Sequence, residues 1–441
     1  MTKRPKVLFV TYGGGHVNIV LGVLEALSHR ETDAVILGLT TARPRLEAAG
    51  YAVLGFADFA DVKRDAAALA IGRELAADIR SGGAAVSAEE SVAYLGLSMW
   101  ELITRVGETR ARELLRLAGR AVWSPVSVLD RVVGAVKPDV VVTTNSPRAE
   151  RAALVVAERR RIPSLRIEDL FGCSGIVGQV RHVIGEDVTT DIIDTIRPTA
   201  VAVMNEIAAD NVLRDQEQEQ MAVVPDRVVV TGQPVFDAAL ARRSTANSRA
   251  IRLASGLPLD RPVLAWATDN LSCDDEILDA LLTVMSHRSE WHLRIKPHPG
   301  VTAEVAARYV ALACENVSVA VAGDLQELFL ASNVALSHFS TAGLEAIVLG
   351  RPLCLFDILG DRLDNEYAWL VPAHRATIPY LSLGASAVIR SFRELPQRLD
   401  ELLERDVSAL QTPKAFVFEP GAAERIAELI LRLAGDGSAE V

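Results

Sequence analysis

Short apolar runs alternate with amphipathic stretches along most of the chain. Lys6–Thr11 (KVLFVT) reads as a first buried strand, followed by a glycine turn and a helix over about 17–29. Strand runs recur at 34–37, 51–55, 139–143, Ser164–Ile167, 200–204 and 227–230, with helical spacing between them. The helix after 139–143 carries Pro147 in its first turn. Between 61 and 134 the strand signal vanishes. Alanine, leucine and arginine at helical spacing, as at Trp100, Ile103 and Val106, predict an all-helical insertion. A polar stretch, 241–261, reads as a linker. A second α/β series then begins with VLAWAT, HLRIKPHPG and VSVAVA. It continues through 333–338 and Leu353–Phe356, with further helices over 384–403 and 421–433. The pattern predicts an α/β protein of two doubly wound, Rossmann-like domains, 1–240 (insertion about 61–134) and 241–441. The last helix is free to pack back on the first domain, and ligands are expected in the cleft between the two.

The chain has 441 residues, half of them apolar and 23% charged, enough for two sizeable cores. A net charge of −11 argues against a nucleic-acid-binding surface. Four cysteines, Cys173, Cys273, Cys314 and Cys354, stand far apart with no CxxC pair, which fits reduced thiols in the cytoplasm and gives no zinc signature. No apolar run reaches the length of a membrane span. The helical insertion suits a substrate site or an oligomer contact such as a homodimer, and its apolar piece 92–103 suits core packing ahead of a membrane surface.

Candidate chemistry gathers where strands end. In NVALSHFSTAGLEAIVLGRPLCLF (333–356) a strand runs into the hydroxyl turn Ser340-Thr341 and then a helix. Unpaired N–H groups and the helix dipole at such a start favour phosphate. Glu345, one turn on, offers a carboxylate to ribose hydroxyls; an ordinary capped helix with a solvated Glu fits the same pattern. The glycine turn holds Gly14 and Gly15, which let the backbone approach a phosphate-bearing ligand, and His16 at the helix start. It matches neither GxGxxG nor a Walker loop. Glu168-Asp169 place two carboxylates at one strand tip, suited to acid–base chemistry or to a polar loop. Lys296-Pro297-His298-Pro299 places a cation and an imidazole at another.

In combination these motifs resemble the GT-B superfamily, in the branch holding MurG-like glycosyltransferases and UDP-N-acetylglucosamine 2-epimerases. The resemblance rests on TYGGGH (11–16), KPDVVVTTNSPRAERAA (137–153), IPSLRIED (162–169), VTGQPVFD (230–237), KPHPG (296–300), HFSTAGLEAIVLGRP (338–352) and GDRLDNEYA (360–368). It implies a nucleotide-diphosphate sugar held mainly by the second domain. Ser340, Thr341 and Gly343 would meet the diphosphate, with Thr268, Asn270, Lys296 and His298, and Glu345 the ribose. Asp361 and Asn365 would meet the donor sugar, although Arg362 stands where related transferases have Gln. His16 matches the glycine-loop histidine near the acceptor. The epimerase pattern is incomplete: its first loop is replaced by TYGGGH, its loop Asp by Asn145, and only Glu168 and His298 match. The expected activity is therefore metal-independent transfer from a UDP-sugar, with no cofactor, to a glycan, lipid-linked or small-molecule hydroxyl. His16, or else Glu168 or Asp169, would be the base. An epimerase, a CMP- or CDP-linked transferase and a non-catalytic nucleotide-sugar-binding protein are the alternatives.

Overall fold

The computed structural model describes residues 4–78, 86–169, 171–172, 175–298, 300–367, 370–405 and 412–436. The chain forms two compact units, Met1–Val235 with Gly421–Val441, and Phe236–Pro420.

The first unit is built on seven strands: β1 (Lys6–Thr11), β2 (Asp33–Gly38), β3 (Val53–Leu54), β4 (Val140–Thr144), β5 (Ser164–Ile167), β6 (Ala200–Val203) and β7 (Val228–Val230). They pair in parallel in the order β3-β2-β1-β4-β5-β6-β7. Central strands such as VVVTT are buried along their whole length, as a parallel sheet covered on both faces requires. One face is covered by the helix His16–Ser28 and by the C-terminal helix Ala422–Asp436. Ile426, Ile430 and Leu433 there share a core with Val20, Leu24 and Leu27. The region without strand signal folds as the helices Ala66–Asp78, Ala88–Val106, Glu108–Ala118 and Val126–Val136. The first two pack unusually closely at Gly72 and Gly96. A Cβ on Gly96 would lie 2.2 Å from the Ala68 carbonyl oxygen.

The second unit carries β8 (Val263–Ala267), β9 (His292–Lys296), β10 (Val317–Val319), β11 (Val334–Ser337), β12 (Leu353–Phe356) and β13 (Ala387–Ile389). Their order is β10-β9-β8-β11-β12-β13, again all parallel. In both sheets the winding direction reverses once, between β1 and β4 and between β8 and β11. Ligands of doubly wound sheets bind at the carboxyl ends of the strands at such a reversal.

Three expectations need correction. The stretch 384–403 is not one helix: Ala387–Ile389 forms the edge strand β13, and the helix begins at Leu395. The linker stretch holds the end of the helix Pro234–Thr245 and all of Ser248–Ala254, because its polar residues cover an exposed face. Pro147 precedes the helix Ala149–Arg159, since Arg148 takes a left-handed φ of 74° and breaks the helical path. Among the described residues no helix is long and apolar enough to cross a membrane. Pro299 and Ala368, from two of the motifs, and Cys173 lie outside the described residues.

Candidate functional site

At the reversal in the first unit, β1 ends at the glycine turn and β4 ends at Thr144. Gly13 and Gly14 have φ of 138° and 63°, conformations that favour glycine, and a Cβ on Gly13 would strike the Thr41 hydroxyl. The turn sets His16 at the first position of its helix, with Nδ1 3.0 Å from the Thr144 hydroxyl. That hydroxyl also contacts Glu150 Oε2. Glu150 is fully buried, and its carboxylate accepts from the amides of Tyr12 and Thr144, each at 2.8 Å. Burial pushes the Glu150 pKa up, while His16, the Thr144 hydroxyl and the two amides oppose the shift. Thr144 has one proton to give, and with the Glu150 carboxylate ionised the hydroxyl donates to it. His16 Nδ1–H then donates to the Thr144 oxygen, which leaves Nε2 as the basic nitrogen. Thr144 and Glu150 were not among the sequence candidates. Both lie inside the TTNSPRAERAA motif, but pairing them with His16 needs β1 beside β4.

The two sequence-predicted carboxylates behave differently. Glu168 is enclosed, pairs with the Arg166 guanidinium and accepts from Asn145 Nδ2 at 2.9 Å. Burial pushes its pKa up to about 7 against the pull of Arg166, with Glu219 adding to the rise. Asp169 is half-buried, and its backbone carbonyl accepts from Gln233 Nε2 at 3.3 Å. Beside the glycine turn lies a cavity of about 210 Å³, whose walls include Tyr12, Thr40, Thr41, Glu90, Tyr94 and Arg120.

At the reversal in the second unit, the loop after β8 and the loop after β11 meet. Asp269 accepts from the Phe339 amide at 3.2 Å and stands 3.4 Å from His338 Nδ1. Asp274 fastens the β8 loop by accepting from the amides of Asp269, Asn270 and Leu271. This holds Asn270 at a left-handed φ of 62°. Burial, and Asp269 beside it, push the Asp274 pKa up to about 6. Thr268 accepts from the His298 amide at 2.9 Å, and His298 Nδ1 accepts from Gly300 at 3.0 Å. Desolvation lowers the pKa of His298 and of Lys296, whose ammonium donates to the Val321 carbonyl at 3.3 Å.

Ser340 and Thr341 stand half-buried at the start of the helix Ala342–Val348. The Gly343 amide is already taken by the Ser340 carbonyl at 3.1 Å, and its Cα packs towards Leu353 and Leu381. Glu345 accepts from Gln326 Nε2 at 3.1 Å. Asp361 and Asn365 are exposed, and Asn365 Nδ2 bonds back to the Asp361 carbonyl at 3.1 Å. Their loop docks on the helix Cys273–His287 through Tyr367 with Ser272 and Arg362 with Glu276. The structure thus joins Thr268 to His298, and leaves Glu345 and the Asp361–Asn365 pair in separate contacts of their own.

No family model and no curated protein matches the chain. Solved structures do. UDP-GlcNAc 2-epimerase from Methanocaldococcus jannaschii is 14% identical with a TM-score of 0.57, over 97% of this chain and 99% of that one. S. aureus MnaA, solved with UDP, is 12% identical with a TM-score of 0.59, over 97% of both chains. Acinetobacter baumannii MurG is 15% identical with a TM-score of 0.51, over 97% of this chain and 99% of that one. With two parallel sheets wound in the same order and likeness along nearly the whole length, the chain has the GT-B fold, as these epimerases and MurG do.

Proposed function

We propose that the chain is a glycosyltransferase that moves a sugar from a UDP-sugar to a hydroxyl acceptor. The observation that carries this reading is the hydrogen-bonded series Glu150–Thr144–His16 at the end of β1 and β4. An acceptor hydroxyl is a poor nucleophile until its proton has somewhere to go. In the reaction the acceptor oxygen bonds to the anomeric carbon and the bond to the diphosphate breaks. The electron pair leaves with UDP, and the acceptor proton passes to His16 Nε2. Glu150, through Thr144, orients the ring and stabilises the imidazolium that forms. Glu168, with both oxygens engaged, is a structural acid in this reading, and Asp169 is a loop residue.

In this reading the diphosphate lies in the second unit. The backbone of the Ser340–Thr341 turn, Thr268, Asn270, Lys296 and His298 supply its donors and positive charge. Asp361 and Asn365 serve the sugar, and Glu345, steered by Gln326, the ribose. Transfer in this reading needs no metal ion, the departing diphosphate being neutralised by the donors and positive charge of the second unit. The likeness to 2-epimerases favours a second reading, epimerisation of a UDP-sugar. Against it, the neutral amide of Asn145 stands beside Glu168, and elimination and re-addition need a second proton-handling carboxylate there.

The test is to incubate the full chain with UDP-GlcNAc and other UDP-sugars, with and without a panel of hydroxyl acceptors. Acceptor-dependent UDP release is expected, unchanged by EDTA, and lowered about 10²–10⁴-fold in kcat by His16→Ala. Formation of the 2-epimer without acceptor would replace the transferase reading with the epimerase one. Wild-type turnover by His16→Ala would remove the histidine from its role as base.

A further inference from the structure

The cavity beside the glycine turn has features that proton transfer alone does not account for. Its aromatic wall is deep: Tyr12 and Tyr94 have ring centroids 6.0 Å apart, and Phe56 and Trp123 back Tyr94 at 5.6 and 5.8 Å. Most polar groups around it are already satisfied. Both Glu90 oxygens accept backbone amides, from Phe56 and Ala57, at 2.9 Å each. The Thr40 hydroxyl bonds to the Tyr12 carbonyl, and Thr41 Oγ1 accepts from Gly14. The Tyr94 hydroxyl, in contrast, is buried without a partner of hydrogen-bonding geometry.

Two guanidinium groups stand by this wall. Arg120 lines the cavity, and Arg148 stacks on Tyr12 with its central carbon 3.8 Å from the ring centroid. Among the described residues neither has a carboxylate in ion-pairing contact, and Arg148 Nε is buried without a hydrogen bond. Both draw the Tyr94 pKa down, against burial, which raises it most, and Tyr12. Arg148 also holds φ 74° and ψ −119°, a strained conformation for a non-glycine residue, of the kind that clusters at functional sites.

We propose that this cavity is the acceptor pocket and that it takes one hydroxylated aromatic ring bearing a carboxylate. The ring lies against Tyr12 and Tyr94, and Arg120, which lines the cavity, receives the carboxylate, with Arg148 on the Tyr12 ring adding positive charge nearby. The class follows from the inventory. Two unpaired cations call for an anion. The few free hydrogen-bonding groups suit an aromatic ring better than a sugar, whose many hydroxyls would go unmatched. An apolar cavity of about 150 Å³ holds benzene, so 210 Å³ accommodates a single substituted ring. That the ligand is glycosylated on its hydroxyl rests on the transferase reading; that it binds does not.

Calorimetric titration of the full chain with 4-hydroxybenzoate, its methyl ester and phenyl phosphate tests this, with UDP titrated in parallel. The acid is expected to bind about tenfold or more tighter than the ester. Arg120→Gln should weaken the acid about tenfold, Arg148→Gln by less, and both should leave UDP affinity unchanged. Equal affinity for acid and ester, or wild-type acid affinity in Arg120→Gln, overturns the proposal. Tighter binding of phenyl phosphate overturns its choice of anion. Acid binding without transfer from any UDP-sugar upholds the pocket and sinks the transferase reading. Transfer to neutral acceptors with no acid binding does the reverse.

Discussion

Thr144 carries a single hydroxyl proton, and the direction in which it points decides the chemistry of His16. Replacing Thr144 by Val removes the oxygen that accepts from His16 Nδ1–H, and Glu150→Gln removes the charge behind it. Each variant should lower kcat about 10–10³-fold with little change in KM for the donor, because the proposed reading assigns the donor to the second unit. A Thr144→Ser variant that keeps the hydroxyl should recover most of the rate. Equal losses in Thr144→Ser and Thr144→Val would mean that the methyl group, and not the hydrogen bond, matters. The place of His16 at a helix start was legible in the sequence because a glycine turn after a first strand leads into the next helix at the sheet edge. Glu150 was not, since within its helix it reads as one more acidic first-turn residue. A second residue-scale prediction concerns His374, enclosed in the second unit with its ring 6.1 Å from that of His338. Burial first, and then His338, bring its pKa down to about 4, against the pull of Asp357. An unfolded chain takes up that proton near pH 6.5. Stability should therefore fall as pH drops from about 6.5 to about 4, by about 3 kcal/mol at most from this one group. His374→Gln should flatten the pH dependence of the urea midpoint in that window. An unchanged slope would contradict it.

At the level of elements, the helical insertion owes its geometry to two glycines. Ala66–Asp78 and Ala88–Val106 approach closely enough that a Cβ on Gly72 would lie 2.1 Å from the Val92 carbonyl oxygen. Gly96→Ala should therefore destabilise the first unit by about 1–3 kcal/mol, through backbone that cannot move aside cheaply. Gly435→Ala, in a helix with open space around it, should instead be neutral or stabilise by about 0.5–1 kcal/mol. Thermal melts of the two variants check the contrast, and equal shifts would refute the close-packing account. The insertion itself was readable from period alone. The glycine contact was not, because glycine in a helical pattern looks only like a weak helix former. Edge strand β13 escaped for a related reason. Ala387–Ile389 is three residues long, too short to show alternation, and its strand state comes from the parallel partner Cys354–Phe356. The strands β1, β4 and β8 were legible because burial on both faces writes a nearly unbroken apolar run.

Across the whole molecule, the chain's last described helix belongs to the first sheet and not to the unit that precedes it in sequence. Its amphipathic spacing announces a face to bury; which sheet receives that face is set by tertiary packing. Ile426, Leu429, Ile430 and Leu433 enter the core beside Val20, Val23 and Leu27. At about 1.5–3 kcal/mol for each large buried aliphatic side chain, the four contribute on the order of 6–12 kcal/mol. That is comparable with the whole stability of an ordinary domain, about 5–15 kcal/mol. The Arg30–Glu424 pair at 2.7 Å is partly exposed and adds little by comparison. A chain ending at Pro420 should therefore lose the first unit while the second stays folded, since among the described residues the cluster around Trp266, Phe356 and Leu399 includes none beyond 420. Limited proteolysis should degrade 1–235 and leave a resistant fragment near 236–420. UDP binding should survive in that fragment, and acceptor-dependent turnover should vanish. Adding a peptide of residues 421–441 should restore part of the protection. A truncated chain that melts and resists protease as the full chain does would show that the first core closes without its C-terminal helix.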